Sequence, residues 1–313
     1  MLSIQKKTIE EILGTPENRY FGSGFRSFSI DLKNLELYTQ EIKGQLTVNY
    51  NGPDRPRGEE PHIGSIEFIA FSSRIATYII NRLCRINIAD TDRAFITKYS
   101  IHLSHTMEVG THNFSCKLIS TTTDNSSLQG YISLLEIRFE NHAQIKVEID
   151  HRGYLMYKTL PFDQSIPFEL EQLHSIGYKS TEINFSPLEI DIQAKTIQAE
   201  VSYRYHFEEN IFHGVGSARN SLLGTDATRV FGQLMQSLLY QLNNSDRINC
   251  QNIWLRKMHL VQARPTFKKN IKAHLLFEDI REVKLNGKYW NLISLNGVVG
   301  NYSGFFEVAY ELN

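Results

Sequence analysis

Two long apolar segments, residues 66–83 and 225–242, constrain what this chain can fold into more than any other feature. In the first, apolar side chains recur at helical intervals and cover more than half of the circumference, which predicts a helix buried on all sides. Aligned without a gap, the two segments place Glu67 opposite Asp226. Each predicted helix therefore carries one carboxylate in its first turn.

The repeat continues upstream of both helices. Residues 35–50 align without a gap on residues 188–203, and six of these sixteen positions are identical. The upstream segments and the helices occur in the same order, at offsets of 153 (188 − 35) and 159 (225 − 66) residues. A duplicated domain explains this pattern better than convergent strand patterning, which is the alternative.

Extended segments separated by turn signals surround both helices. In the first half, strands are predicted at residues 28–37 and 41–50 before the helix, and at 95–103, 114–120, 131–139 and 144–149 after it. In the second half they are predicted at residues 181–185, 188–192 and 196–207, and then at 252–261, 271–285, 288–298 and 305–312. Residues 3–13 predict a short N-terminal helix.

A helix this apolar needs a sheet that curls around it, because a flat sheet would leave the helix half exposed. One helix wrapped by one antiparallel sheet is the hotdog arrangement, so the predicted fold is α+β, a double hotdog. Its expected parts are a first domain over residues 1–157, a linker over 158–180 and a second domain over 181–313. We expect the halves to pack as a pseudo-dimer with roughly antiparallel central helices; a monomer and a homodimer both remain open.

Composition excludes several classes of function. The chain has 33 Lys plus Arg and 34 Asp plus Glu, so its charge of −1 gives no basic field for nucleic acid. No run of eighteen apolar residues is present, and the first ten residues become charged too early for a signal peptide. Three distant cysteines, Cys84, Cys116 and Cys250, predict reduced thiols and a cytoplasmic location.

Two short motifs resemble those of a known family. Residues 19–25 (RYFGSGF) and 61–67 (PHIGSIE), together with the chain length, resemble the avirulence protein D (AvrD) family of plant-associated bacteria. The chain is also distantly similar to the A-factor type butenolide synthases, which are double hotdogs with one helix acid per half. The resemblance implies a biosynthetic acyltransferase for a secondary metabolite of the syringolide type. It would join a 3-ketoacyl thioester, on coenzyme A or an acyl carrier protein, to a xylulose-like sugar or sugar phosphate.

Glu67 and Asp226 are the first candidate catalytic residues. An acid at a helix start can simply cap backbone N–H groups. It can also move a proton beside a thioester carbonyl that those N–H groups polarise. Similarity to hotdog dehydratases adds His62 and His213, with His213 expected at Glu67 and His62 at Asp226. The alternative for each histidine is a structural hydrogen bond to backbone.

Four further residues are candidates for binding substrate. Arg74 and Gln233 each lie seven residues after an acid on the same helix face, and Gly64 and Ser65 lie just before Glu67. The alternative for Arg74 and Gln233 is structural hydrogen bonding.

No metal or other cofactor is expected. Transfer of an acyl group is proton chemistry, and His102 and His105 point to opposite faces of a predicted strand, so they do not converge on a metal.

Three functions remain open at this point. The first is condensation of a thioester-bound 3-ketoacyl chain with a sugar. The second is a dehydratase or thioesterase of the same fold, in which the sugar hydroxyl plays no part. The third is a protein that binds an acyl ligand without catalysis. We expect an apolar tunnel at the junction of the halves, open near the two helix starts, because hotdog units bind acyl chains where their sheets meet.

Overall fold

The computed structural model describes residues 4–53, 60–84, 86–123, 127–152, 173–205, 212–218, 221–245, 253–265, 268–285 and 287–312. Several predictions fall outside these residues: positions 158–172 of the linker, Cys250, and the strand ends at 206–207 and 252.

Two long buried helices form where the apolar periodicity predicts them. Helix α2 spans Ser65–Arg82 and helix α4 spans Gly224–Leu242, so each end lies within one residue of its prediction. They pack against each other, and nearly all of their residues are buried. Two short helices, α1 (Ile9–Leu13) and α3 (Ile88–Arg93), complete the helices of the described residues. None of these helices is both long and apolar enough to cross a membrane.

In the described residues, fourteen antiparallel strands form one sheet around these helices. Their bounds are β1 Gln5–Lys7, β2 Phe28–Leu37, β3 Glu41–Tyr50, β4 Phe95–Leu103, β5 Gly110–Thr123, β6 Gly130–Phe139, β7 Ala143–Arg152, β8 Thr181–Phe185, β9 Leu188–Asp191, β10 Thr196–Tyr205, β11 Ile253–Gln262, β12 Asn270–Leu285, β13 Lys288–Val299 and β14 Tyr302–Glu311. A long apolar helix against such a sheet fits a hotdog fold.

The two halves of the sheet repeat one strand order. From the junction outwards, the first half reads β4-β7-β6-β5-β3-β2 and the second reads β11-β14-β13-β12-β10-β9, with β8 also paired to β10. Strands β4 and β11 pair across the junction, and Ser100 lies opposite His259 at the middle of that ladder. The sheet is therefore continuous from one half into the other.

A repeated four-residue turn also joins the halves. Gly24–Ser27 and Gly177–Ser180 are 3-10 turns at an offset of 153 (177 − 24) residues, immediately before β2 and β8. Arg26 Nη2 donates to the Thr181 carbonyl at 3.3 Å, and Lys179 Nζ donates to the Phe28 carbonyl. Donors and acceptors keep the same offset (179 − 26 and 181 − 28), so the two contacts are reciprocal.

The predicted N-terminal helix over residues 3–13 is only partly correct. Gln5–Lys7 forms β1, which pairs with β9 in the second half of the sheet, and the helix begins after Thr8. The Thr8 side chain accepts from the Glu11 N–H at 3.2 Å, while the Thr8 N–H donates to the Glu11 carboxylate at 2.5 Å. This capping box starts the helix at Ile9 and leaves the preceding residues to extend the sheet.

Candidate functional site

The segment of residues 19–27, here called the aromatic loop, lies between the starts of the two long helices. Arg229 of α4 holds it by donating to the carbonyls of Phe21 (3.5 Å) and Gly22 (3.2 Å). The Phe21 ring packs directly on Gly232, where an added Cβ would lie 2.5 Å from a ring carbon. Glycine at this position therefore lets the loop sit against α4 and fixes where its other side chains point.

Glu67 caps the start of α2 and also contacts the aromatic loop. Its Oε2 accepts from the Gly64 N–H at 2.9 Å and from the Tyr20 hydroxyl, while the Ile66 N–H donates to the Tyr20 oxygen at 3.3 Å. The Glu67 side chain is 1% exposed. Burial, followed by the neighbouring Glu67 carboxylate, raises the pKa of Tyr20 well above its ordinary value. Tyr20 therefore stays protonated and donates to Glu67.

Asp226 at the start of α4 lies in a closed environment. It is 0% exposed, and its Oδ1 pairs with Arg229 Nη1 at 3.2 Å. The hydroxyls of Thr181 and Tyr205 each lie 3.5 Å from its Oδ2. Burial raises the pKa of the Asp226 carboxyl to about 6, and the Arg229 charge counteracts part of that rise. These contacts are those of a structural ion pair.

A cavity of about 860 Å³ opens beside the start of α2. Its walls come from the aromatic loop, the start of α2, one face of α4 and strands β11, β13 and β14, so it lies at the junction of the two halves. The wall formed by α4 and these three strands is apolar and includes Phe231, Met235, Met258, Leu295 and Phe306. The α2 side carries Tyr20, His62, Gly64 and Ser65. One site thus combines room for an apolar chain with polar groups at a helix start.

Both tryptophans of the chain, Trp254 and Trp290, line the same cavity. The His62 ring packs on the Trp254 ring with centroids 4.9 Å apart, so a residue of the first half meets a strand of the second. Indole faces bind apolar or sugar-ring surfaces, while their N–H groups donate hydrogen bonds to polar neighbours.

The equivalent place at the start of α4 is filled. Gly224 lies there, and an added Cβ would be 2.9 Å from the Tyr99 ring. Tyr99 is 3% exposed, and its hydroxyl lies 2.8 Å from Ser73 Oγ. The helix offset of 159 (258 − 99) makes Met258 the counterpart of Tyr99, and Met258 lines the open cavity. The two helix starts therefore differ: the α2 start opens on a cavity and the α4 start is occupied by Tyr99.

The two predicted histidine–acid pairings are wrong. His213 Nδ1 contacts Asp92 Oδ2 at 2.8 Å, and the N–H of Val215, two residues further on, donates to Thr77 Oγ1. Thr77 follows Glu67 by ten residues, roughly 15 Å of helix at 1.5 Å per residue, so the His213 loop is far from Glu67. His62 lines the cavity instead of meeting Asp226, which Arg229 and its neighbours enclose.

The predicted binding residues divide into two groups. Gly64 and Ser65 line the cavity. Arg74 is buried and donates to the Ile30 carbonyl at 2.8 Å, and Gln233 is buried and donates to the Arg229 carbonyl at 3.4 Å. Both contacts are structural hydrogen bonds, as the alternative interpretation of Arg74 and Gln233 predicts.

Two residues of the site, Tyr20 and Arg229, are not among those predicted from the sequence. Tyr20 lies within the RYFGSGF motif, but nothing in the sequence connects it to Glu67, 47 positions away. Arg229 has a local signal, because an acid and a base three residues apart on a helix face each other. That spacing from Asp226 would have identified the ion pair.

A comparison with models of protein families identifies one family. A family model described as Pseudomonas avirulence D protein (AvrD) matches residues 5–305. A search of curated protein sequences finds no match.

Solved structures with similar architecture include a TesB protein of Mycobacterium avium subspecies paratuberculosis, with TM-score 0.44 and 8% identity, over 90% of this chain and 96% of that one. An acyl-CoA thioesterase II of Mycobacterium marinum has TM-score 0.37 and 11% identity, over 90% and 96%. The dehydratase domain from the CurJ module of curacin polyketide synthase has TM-score 0.40 and 10% identity, over 91% and 97%.

Proposed function

Because the chain belongs to the AvrD family, whose model matches residues 5–305, we propose that it is a double-hotdog acyltransferase. It condenses a 3-ketoacyl thioester with a small sugar or sugar phosphate and so forms an acyl glycoside or butenolide-type signal. The observation that carries this proposal is the cavity beside the α2 start, which joins an apolar wall to polar groups.

The shape and lining of the cavity support an acyl thioester as one substrate. The acyl chain would lie along the apolar face of α4, against Phe231 and Met235. The thioester carbonyl would then lie at the start of α2, where N–H groups of the first turn stabilise negative charge on an oxygen. Coenzyme A and an acyl carrier protein fit this arrangement equally, because with either carrier the acyl chain is the part that enters the cavity.

The acceptor would lie beside the thioester, near His62 and Trp254. Aromatic rings at a polar cavity wall suit a sugar, whose ring has an apolar face and hydroxyl edges. Glu67 supplies the proton-transfer group, since it is the acid at the open helix start. Asp226 supports the fold through Arg229. Ester formation needs no redox cofactor, and the cytoplasm would supply both substrates.

The same proposal predicts two domains that share one working site. Residues 1–157 and 181–313 would each form one hotdog, and the repeated strand order of the sheet supports this division. Met258 lines the cavity beside the α2 start, whereas its counterpart Tyr99 fills the space beside the α4 start. This difference supports a single substrate cavity. The chain would thus be a pseudo-dimer in which the second half contributes the acyl-binding wall to the site of the first.

Mass spectrometry of purified protein with 3-ketoacyl thioesters and pentuloses or triose phosphates tests the function. We expect a product whose mass equals that of the acyl thioester plus the sugar, minus the carrier thiol and any water lost on cyclisation. A free 3-keto acid would instead indicate a thioesterase, and loss of water from a 3-hydroxyacyl thioester would indicate a dehydratase. Binding by calorimetry without any product would indicate a protein that only binds acyl ligands.

A further inference from the structure

We propose that Tyr20 is the group that exchanges a proton with the substrate and that Glu67 acts through it. This inference rests on the proposed function, because it concerns the same cavity and the same transfer reaction. Nothing in the sequence assigns a role to this tyrosine.

The contacts of Tyr20 put it between the cavity and the acid. Tyr20 lines the cavity, and its hydroxyl donates to Glu67 Oε2. The Glu67 side chain is 1% exposed and is held in place by the Gly64 N–H. A proton that leaves the substrate therefore reaches the carboxylate most directly through the phenol.

The start of α2 supports negative charge on the phenol oxygen. The Ile66 N–H donates to that oxygen at 3.3 Å, and a helix start carries a partial positive charge. Burial and the Glu67 carboxylate raise the pKa of Tyr20, so a free phenolate does not accumulate. The two proton movements are therefore coupled: the phenol gains one proton as it gives up the other.

The reaction step balances with the two named substrates alone. The acceptor hydroxyl gives its proton to the Tyr20 oxygen while the phenolic proton passes to Glu67 Oε2. The electron pair left on the acceptor oxygen forms the new C–O bond at the thioester carbonyl carbon. The C–S bond then breaks, and the leaving thiolate takes a proton from Glu67 through Tyr20. The dyad returns to its starting state, and the products are an ester and a thiol.

The closed side of the molecule offers a matched control. Tyr205 also has its hydroxyl near a helix acid, 3.5 Å from Asp226 Oδ2, but that acid is paired with Arg229. Tyr205→Phe removes the same atom as Tyr20→Phe. We expect it to keep turnover close to that of the wild type.

The test compares Tyr20→Phe, Glu67→Gln, the double variant and Tyr205→Phe in the product assay. We expect Tyr20→Phe to lower kcat roughly 10²-fold, the usual contribution of a proton-transfer group, with little change in KM. The double variant should lose about as much as either single one, because groups that act as a unit are not additive. The wild-type rate should fall non-linearly as the fraction of D₂O in the solvent rises, since two protons move in the same step.

The results that overturn the inference alone can be told apart from the result that overturns the proposed function. If the wild type forms product and Tyr20→Phe keeps its kcat, or if the losses of the two single variants multiply in the double variant, the relay is wrong and the proposed function stands. If the wild type forms no product with any acceptor, the proposed function fails and the relay fails with it. A KM rise at constant kcat in Tyr20→Phe would reduce Tyr20 to a binding residue and also contradict the relay.

Discussion

Phe25 and Tyr178 pack against each other across the junction of the two halves, with ring centroids 6.1 Å apart. Each is the second residue of the same four-residue turn, GFRS in one half and GYKS in the other. Equivalent residues of a two-fold arrangement meet each other only at its axis. The pseudo-two-fold axis therefore runs between these two rings, close to the starts of both long helices.

Neutralising the two helix acids should have different effects on turnover. Glu67→Gln keeps the shape of the side chain and an acceptor for the Gly64 N–H, but it cannot take up a proton. We expect product formation to fall roughly 10²-fold and the melting temperature hardly to move. Asp226→Asn should keep turnover near that of the wild type. Near-normal turnover in Glu67→Gln, together with its loss in Asp226→Asn, would move the working site to the other helix.

Asp226 should make the stability of the protein depend on pH. Burial raises its pKa from the ordinary 3.8 to about 6 in the folded protein, so the folded state holds this proton more tightly than the unfolded state. The resulting stabilisation is fully present below pH 4 and is lost as pH rises through 6. In urea unfolding between pH 4 and pH 7, the wild type should lose up to about 3 kcal/mol relative to Asp226→Asn. Parallel curves for the two proteins would contradict the assignment.

Arg229 should be needed for the position of the aromatic loop as well as for the ion pair. It donates to the carbonyls of Phe21 and Gly22 as well as to Asp226. Arg229→Lys keeps the charge but cannot form this fork of hydrogen bonds. We expect the free energy of unfolding to fall by roughly 3 kcal/mol.

The matched control for this prediction is Arg138→Lys. Arg138 is 60% exposed and pairs with Glu136 at the surface, so its replacement should change stability by at most about 0.5 kcal/mol. Equal effects of the two substitutions on the free energy of unfolding in urea would mean that the hydrogen bonds of the Arg229 guanidinium do not stabilise the protein.

Filling the apolar side of the cavity should shorten the acyl chain that the protein accepts. Met235 lies on the cavity face of α4 and is almost fully buried. Met235→Trp adds volume there, so long-chain thioesters should lose affinity while short-chain ones keep it. Calorimetry with a series of chain lengths measures this directly, and the short chains serve as the internal control. An equal loss at every length would place the acyl chain elsewhere.

The parts of the fold that depend on local pattern could be predicted from the sequence. The helix bounds came from apolar periodicity, and β2, β3, β4 and β8 have the predicted bounds because turn residues flank them. The contacts of His213 could not be predicted, because its partner, Asp92, lies 121 positions away. Tyr99 fills the α4 start and its counterpart Met258 lines the open cavity, a difference that periodicity does not reveal because both residues are apolar. The GFRS and GYKS turns extend the repeat of residues 35–50 and 188–203 upstream at the same offset of 153 (177 − 24) residues.

Strand β1 has a consequence for how the chain is made. It lies at residues 5–7 and pairs with β9 at residues 188–191, so 181 residues (188 − 7) separate the two partners. At 5–20 residues per second, a ribosome needs about 10 to 40 s to synthesise that stretch. During synthesis, β1 therefore emerges well before its partner, which is the second strand of the second half. The N-terminal strand can join the sheet only after the whole first half has left the ribosome.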